Sequence, residues 1–264
     1  MFRGLYTAWT GMANEQKRLD VISNNMANSN TVGYKDEKVA SQAFDQVLGI
    51  KIRDGSQAYH NECIGSLSLG VKIGETYTDY SQGSVRQTGG TYDLALSGSG
   101  FFAVSVTDKA GEVHTRYTRD GRFHLTKDGL LVDADGNAVQ GQNGNITIDP
   151  SSKNVSISAT GQITADGELV DTLNIVDIVT AAKELENFYL KKYGDTMYEP
   201  VDGATTKDAE GEILQGYTEQ SNVNVVREMV DMITITRAYE ASQKVIHSYD
   251  SMLDKSVNQV GALK

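Results

Sequence analysis

The sequence predicts an α+β fold, with long N- and C-terminal helices paired as a coiled-coil-like unit and a central antiparallel β domain of short hairpins between them. Three observations carry this. Apolar residues recur every seven positions at both ends of the chain. The 26 glycines are sparse at those ends and dense in the middle. Asp-Gly pairs punctuate that middle at short intervals, as hairpin turns do.

The N-terminal helix is read from Leu5 to Ala27. Leu5, Met12, Leu19 and Met26 fall at strict sevenfold spacing, and Ala8, Trp9 and Ile22 widen the stripe. Such spacing marks either a seam packed on another helix or the inner face of an ordinary amphipathic helix. The helix is expected to stop in the cluster Asn24, Asn25, Asn28 and Asn30. Asn side chains bond local backbone groups, and Gly33 can take the left-handed conformation that ends a helix.

Residues 36–80 read as an extended linker. Within it, 40–48 has the make-up of a short helix and 54–68 is polar and turn-rich. From residue 81 to 216 the pattern becomes β. Strands are expected at 94–96, 101–106, 145–148, 155–157 and 173–176, and a helical turn or two at 181–193. The pairs Asp120-Gly121, Asp128-Gly129, Asp135-Gly136 and Asp166-Gly167 favour primed turns, whose central residues need positive φ.

The last helix is expected from Asn222 to Val257, a stretch without glycine or proline. Met232, Tyr239, Ile246 and Leu253 repeat every seven residues, and Val260 continues the series. Ser221 or Asn222 is a suitable N-cap. A helix of that length reaches about 54 Å, more than a compact domain of this size needs, so it is expected to find a partner. The domain reading is therefore 1–35 helical, 36–80 linker, 81–216 β and 217–264 helical.

Composition excludes several classes. A net charge of −11 leaves no basic footprint for nucleic acid and disfavours anionic membrane surfaces. The one cysteine, Cys63, cannot form an internal disulfide. No apolar run approaches the roughly 20 residues of a membrane-spanning helix, and the first ten residues lack the layout of a cleaved signal. Phosphate-loop, zinc-protease and nucleophile-elbow motifs are missing. His60 and Cys63 lie in a polar loop, and the four histidines show no metal spacing. Ser97-Gly-Ser-Gly100 precedes a β-like run and reads as a tight strand crossing. Asp133-Ala-Asp135-Gly136 lacks the later acid of a calcium loop, because position 142 is Gln142. No cofactor, metal or catalytic residue is expected.

The motifs add a resemblance. Asn24-Asn-Met-Ala-Asn-Ser-Asn-Thr-Val-Gly-Tyr-Lys35 resembles the N-terminal signature of flagellar rod and hook proteins, with Met26 where Leu or Ile is usual. Glu219-Gln-Ser-Asn-Val-Asn-Val-Val-Arg-Glu-Met-Val230 resembles their C-terminal signature, continued in Arg237-Ala-Tyr-Glu240 and Asp250-Ser-Met-Leu253. Asp79-Tyr-Ser-Gln-Gly83, Asp93 to Phe102 and Tyr117-Thr-Arg-Asp-Gly121 are similar to the middle of the family. The resemblance runs end to end, and it leaves proximal and distal rod positions open.

It implies a structural subunit of a hollow helical shaft, with the terminal helices lining an inner tube. The implied partners are further copies of itself, neighbouring rod and hook proteins, ring proteins and the export apparatus. Export without a cleaved signal to the basal body in the cell envelope is implied as well. The expected assembly residues are the eight seam positions together with Asn25, Asn28, Asn30, Gly33, Tyr34, Asn222, Val223 and Met229. The competing readings are a cell-wall-associated hydrolase, which needs two carboxylates across a cleft, and a monomeric surface-binding module.

Overall fold

The computed structural model describes residues 2–51, 62–108, 111–152, 154–179, 190–201, 203–209 and 211–261. The chain forms two compact units. One comprises Met1–Met26, Glu37–Tyr77 and Val225–Lys264, the other Ala27–Asp36 and Thr78–Asn224.

The first unit holds the two long helices. Helix α1 is Phe2–Ala27 and helix α2 is Val225–Lys255. The 31 residues of α2 reach about 47 Å. Neither is long and apolar enough to cross a membrane.

Two corrections concern the helix ends. Gly33 does have φ +71°, but it lies six residues past Ala27 and does not end α1. The turn after α1 is closed by Asn28, whose carbonyl accepts from Thr31 N–H at 3.1 Å and whose Oδ1 accepts from the Thr31 hydroxyl at 3.0 Å. At the other end α2 begins three residues later than expected, so neither Ser221 nor Asn222 adjoins it as an N-cap. Ser221 Oγ accepts from Val223 N–H at 3.2 Å, and Asn222 is engaged elsewhere, as described below.

Besides a π-helical turn at Ser256–Val260 that continues α2, the first unit holds four strands in its described part. Strands β1 (Glu37–Ala43) and β4 (Val71–Thr78) pair, and β2 (Val47–Lys51) pairs antiparallel with β3 (Glu62–Leu67). Residues 40–48 are thus extended and not helical. So short an apolar pattern does not separate the two states, and the ladder to a distant strand decides. Residues 52–61, which include His60 and most of the turn-rich stretch, lie outside the described residues, as does 181–189 of the expected helical turn.

The second unit is β. Its strands are β5 (Val85–Gln87), β6 (Leu94–Ser97), β7 (Phe101–Thr107), β8 (Val113–Thr118), β9 (His124–Leu125), β10 (Leu131–Val132), β11 (Ala138–Gly141) and β12 (Gly144–Asn145). They continue with β13 (Val155–Ile157), β14 (Gln162–Ala165), β15 (Glu168–Thr172), β16 (Ile175–Val179) and β17 (Leu190–Tyr193). The last are β18 (Met197–Pro200), β19 (Thr205–Asp208), β20 (Glu212–Gln215) and β21 (Tyr217–Glu219). The main sheet runs β17-β18-β8-β7-β11-β10-β9, with β16 beside β7 and β19 beside β16. The expected strand at 145–148 survives only as β12 and a bridge from Thr147 to Leu130. Its Ile146 and Ile148 are core side chains all the same.

Strand β7 is buried on both faces, as its run Phe101-Phe-Ala-Val104 requires. Successive side chains on a strand point opposite ways. Phe102 and Val104 enter a core with Leu94, Leu131, Ile146 and Ile163. Phe101 and Ala103 enter a second cluster with Tyr117, Val176 and Tyr198. There Tyr80, Phe101 and Tyr198 meet edge to face at 5.3–5.8 Å between ring centroids, the arrangement that ring quadrupoles prefer.

The Asp-Gly pairs divide. Asp166 (φ 51°) and Gly167 (φ 94°) both take positive φ between β14 and β15, as a primed turn needs. At Gly129 and Gly136 the glycine alone is positive. Gly129 N–H reaches Thr126 O, and Gly136 N–H reaches Asp133 O. These are three-residue loops with a bulge, the other common hairpin solution. Asp133 Oδ1 caps the second loop, accepting from Asp135 N–H at 3.0 Å and Asn137 N–H at 2.8 Å. At Gly121, φ is not positive. A side chain there would overlap the Leu94 carbonyl oxygen, so close backbone approach demands that glycine.

Candidate assembly interface

Among the described residues, the two helices of the first unit approach each other at the following positions. Gly4 faces Tyr249, Gly11 faces Ser242, and Asn25 Nδ2 reaches Glu228 Oε2 at 3.5 Å. Each step of seven or fourteen up α1 is matched by the same step down α2. The helices therefore lie antiparallel in constant register. Glycine makes the approach possible at the first position, where a methyl group would overlap the Tyr249 ring. At the second, a methyl would sit 3.8 Å from Ser242 Oγ. Ile235, on the same line of α2, is 2% exposed.

Leu5, Met12, Leu19 and Met26 lie one residue beside that line on α1, and all four are half-buried. Met232, Tyr239, Ile246 and Leu253 are half-buried along α2. Met229 is exposed and Val223 is half-buried.

Asn25 is buried and ties α1 to β1. Its Nδ2 donates to Glu37 O at 2.8 Å, and its Oδ1 accepts from Glu37 N–H at 3.1 Å. One amide side chain thereby mimics a ladder pair. Asn30 is exposed and Asn28 half-buried in the turn after α1.

The rest of the N-terminal motif belongs to the β unit. Gly33 N–H donates to Glu219 O at 2.9 Å, and its missing side chain lets the backbone lie against Arg119 and Asp120. Tyr34 is fully buried, with Lys192 Nζ 4.2 Å from its ring centroid. Asn222 holds three segments together. Its Oδ1 accepts from Asp36 N–H at 2.8 Å, and its Nδ2 donates to Asp79 O at 2.8 Å and Ser81 O at 3.2 Å.

At the centre of this junction is a carboxylate that sequence reasoning missed. Glu219 is 0% exposed. Its Oε1 accepts from Lys35 Nζ at 2.6 Å and Gly83 N–H at 2.8 Å, and its Oε2 accepts from Arg119 Nη1 at 3.1 Å. Lys35 Nζ also donates to Ser81 O at 2.8 Å, and Arg119 Nη2 to Gly98 O at 2.8 Å. Burial pushes the Lys35 ammonium below its ordinary pKa, and the attraction of Glu219 offsets part of that effect. Three buried charges are thus paired in one network, with Arg119 Nε left without a hydrogen-bond partner; such direct pairing is what makes buried charges tolerable. A signal was present in the motifs. Lys35 ends the N-terminal one, Arg119 sits in the middle one, and Glu219 opens the C-terminal one.

Three family descriptions match parts of the chain. They are "Flagella basal body rod protein" over residues 5–35, "Flagellar hook protein FlgE/F/G D1 domain" over 95–165, and "Flagellar basal body rod FlgEFG protein C-terminal" over 214–260. Whole-length relatives are similar too. The flagellar basal-body rod protein FlgG of Bacillus subtilis is 34% identical across 98% of this chain and 99% of its own. FlgG of Agrobacterium fabrum is 34% identical across 95% and 96%, and FlgF of Caulobacter vibrioides 33% across the whole of both chains. The chain belongs to the flagellar basal-body rod protein family, as a structural subunit of the rod.

Proposed function

We propose that this rod subunit polymerises into a hollow helical shaft that transmits torque and passes exported subunits. Its α1 and α2 act as a coiled-coil-like pair lining the inner tube, and the β unit forms the outer layer. Contacts with other rod and hook proteins, ring proteins and the export apparatus belong to this reading, as does export without a cleaved signal. The observation that carries it is the constant antiparallel register of α1 on α2, from Gly4–Tyr249 to Asn25–Glu228. Exposed apolar side chains on both helices, among them Tyr6, Trp9, Val226 and Ile233, remain for contacts with neighbours. A head-to-tail contact between such units that does not close on itself generates a helical polymer.

The test is deletion of residues 225–264. This cut spares 217–224, which belong to the β unit. The truncated chain is expected to keep its near-ultraviolet circular dichroism and to sediment as a monomer while the full chain forms filaments. Polymerisation of the truncated chain like the full one overturns the proposal.

A further inference from the structure

The helical unit carries two uncovered apolar surfaces. The first is a groove of about 480 Å³ lined by Tyr6, Thr10, Phe44, Asp45, Val47 and Leu69. Tyr6 is 62% and Val47 54% exposed, and Trp9 beside them 56%. The second is a stripe on α2 formed by Val226, Met229, Val230 and Ile233, each between 51% and 73% exposed. Their spacing of three, four and seven residues is that of one helix face. Clustered exposed apolar side chains of this kind are what interaction sites present.

The register of the helices locates both surfaces. At about 100° per residue, Tyr6 and Trp9 lie roughly opposite the line Gly4–Gly11 that faces α2. By the same count, Val226, Val230 and Ile233 lie roughly opposite the line Glu228–Ile235 that faces α1. Groove and stripe are therefore on opposite sides of the helix pair. They are also offset along it. Pairing of Asn25 with Glu228 sets Val226–Ile233 beside the far end of α1, about 21–32 Å from Tyr6 at 1.5 Å per residue. One chain cannot bring them together.

Resting on the polymer reading above, we propose that the α2 stripe of one copy seats in the α1–β2 groove of the next. Charge agrees with this choice. Asp45 is the charged residue in the groove wall, and Arg237, one turn beyond Ile233, continues the stripe's outward face. A contact between two different surfaces on opposite sides of one unit is heterologous, and successive copies add laterally and axially without closing.

Cysteine pairs test it in a Cys63→Ser background. The full-length Leu69→Cys/Val230→Cys chain is polymerised and oxidised. A covalent ladder at least tenfold stronger than that of either single variant is expected, and an equal mixture of the two singles is expected to yield covalent dimers only. Polymers of the double variant without a ladder overturn the pairing, and so do multimers from one single variant alone. Charge reversal gives a second reading. Asp45→Lys and Arg237→Glu each raise the concentration needed for polymer at least tenfold, and together they restore it. No restoration counts against the contact. Filament formation by the Cys63→Ser parent separates the two claims. If the parent does not polymerise, the shaft reading fails and takes the pairing with it. If it polymerises without the cross-links, only the pairing falls.

Discussion

Replacing Glu219 by glutamine keeps the shape of the side chain and removes its charge. In the native junction that charge serves Lys35 and Arg119, whose side chains are 1% and 5% exposed. The substituted amide retains one acceptor oxygen, enough for Lys35 Nζ and Gly83 N–H. Its nitrogen then faces Arg119 Nη1 at the 3.1 Å now spanned by a hydrogen bond, donor against donor. Two cations remain buried without their direct ion-pair partner, Asp79 acting on Lys35 only as a lesser charge. Removing one partner of a buried ion pair costs about 3–5 kcal/mol. For a chain of this size each kcal/mol shifts the melting temperature by about 2–4 °C, so a fall of roughly 6–20 °C is expected. Near-ultraviolet circular dichroism during thermal and urea unfolding measures it. Amide hydrogen exchange at Gly33–Asp36 is expected to quicken in step. A loss below about 1 kcal/mol refutes the claim that this carboxylate holds the junction. Adding Lys35→Met to the Glu219→Gln chain is expected to cost less than it does in the native chain, because residues sharing one network are not additive.

Gly33→Ala places a side chain at φ +71°, against the Arg119–Asp120 backbone. A loss above about 2 kcal/mol in urea unfolding is expected, since left-handed φ alone costs about 1–2. Asn222→Ala removes hydrogen bonds to Asp36, Asp79 and Ser81, with an expected loss of about 2–3 kcal/mol. Burial raises the Tyr117 phenol above its ordinary pKa of 10.0. Above pH 10 the unfolded chain gives up that proton while the native chain keeps it, so the native state binds more protons and stability falls as pH rises. Tyr117→Phe is expected to flatten this dependence when urea unfolding is compared at pH 9 and 11.

Both helices were legible because sevenfold apolar spacing is a local signal, though it did not fix their ends: α1 starts at Phe2 and α2 spans Val225–Lys255. The line of contact between them was not legible. Gly4 and Gly11, one residue beside the seam, face Tyr249 and Ser242, and glycine leaves no mark in apolar periodicity. Strands such as β7 were readable from runs of four or more apolar residues, whereas β1 and β2 take their state from partners about 10 to 40 residues away. Asn222 was misread for a related reason. Asn serves a helix N-cap and a bridge between distant backbones with the same groups, and only the fold selects between them. The triad of Lys35, Arg119 and Glu219 was present in the motifs, but nothing local says that three charges so far apart share one buried site.

That separation bears on how the chain folds. Lys35 and Glu219 stand 184 residues apart, and Asn25 and Glu228 stand 203 apart. Contacts of such high order form late, because the intervening chain must be closed before they give any return. A chain emerging N-terminus first from a narrow conduit, whether a ribosome exit or a secretion channel, has its first signature outside long before Glu219 appears. Until then Lys35 has no carboxylate to dock on and α1 has no α2. Ordering of the junction therefore has to wait until Glu219, 184 residues after Lys35, is available.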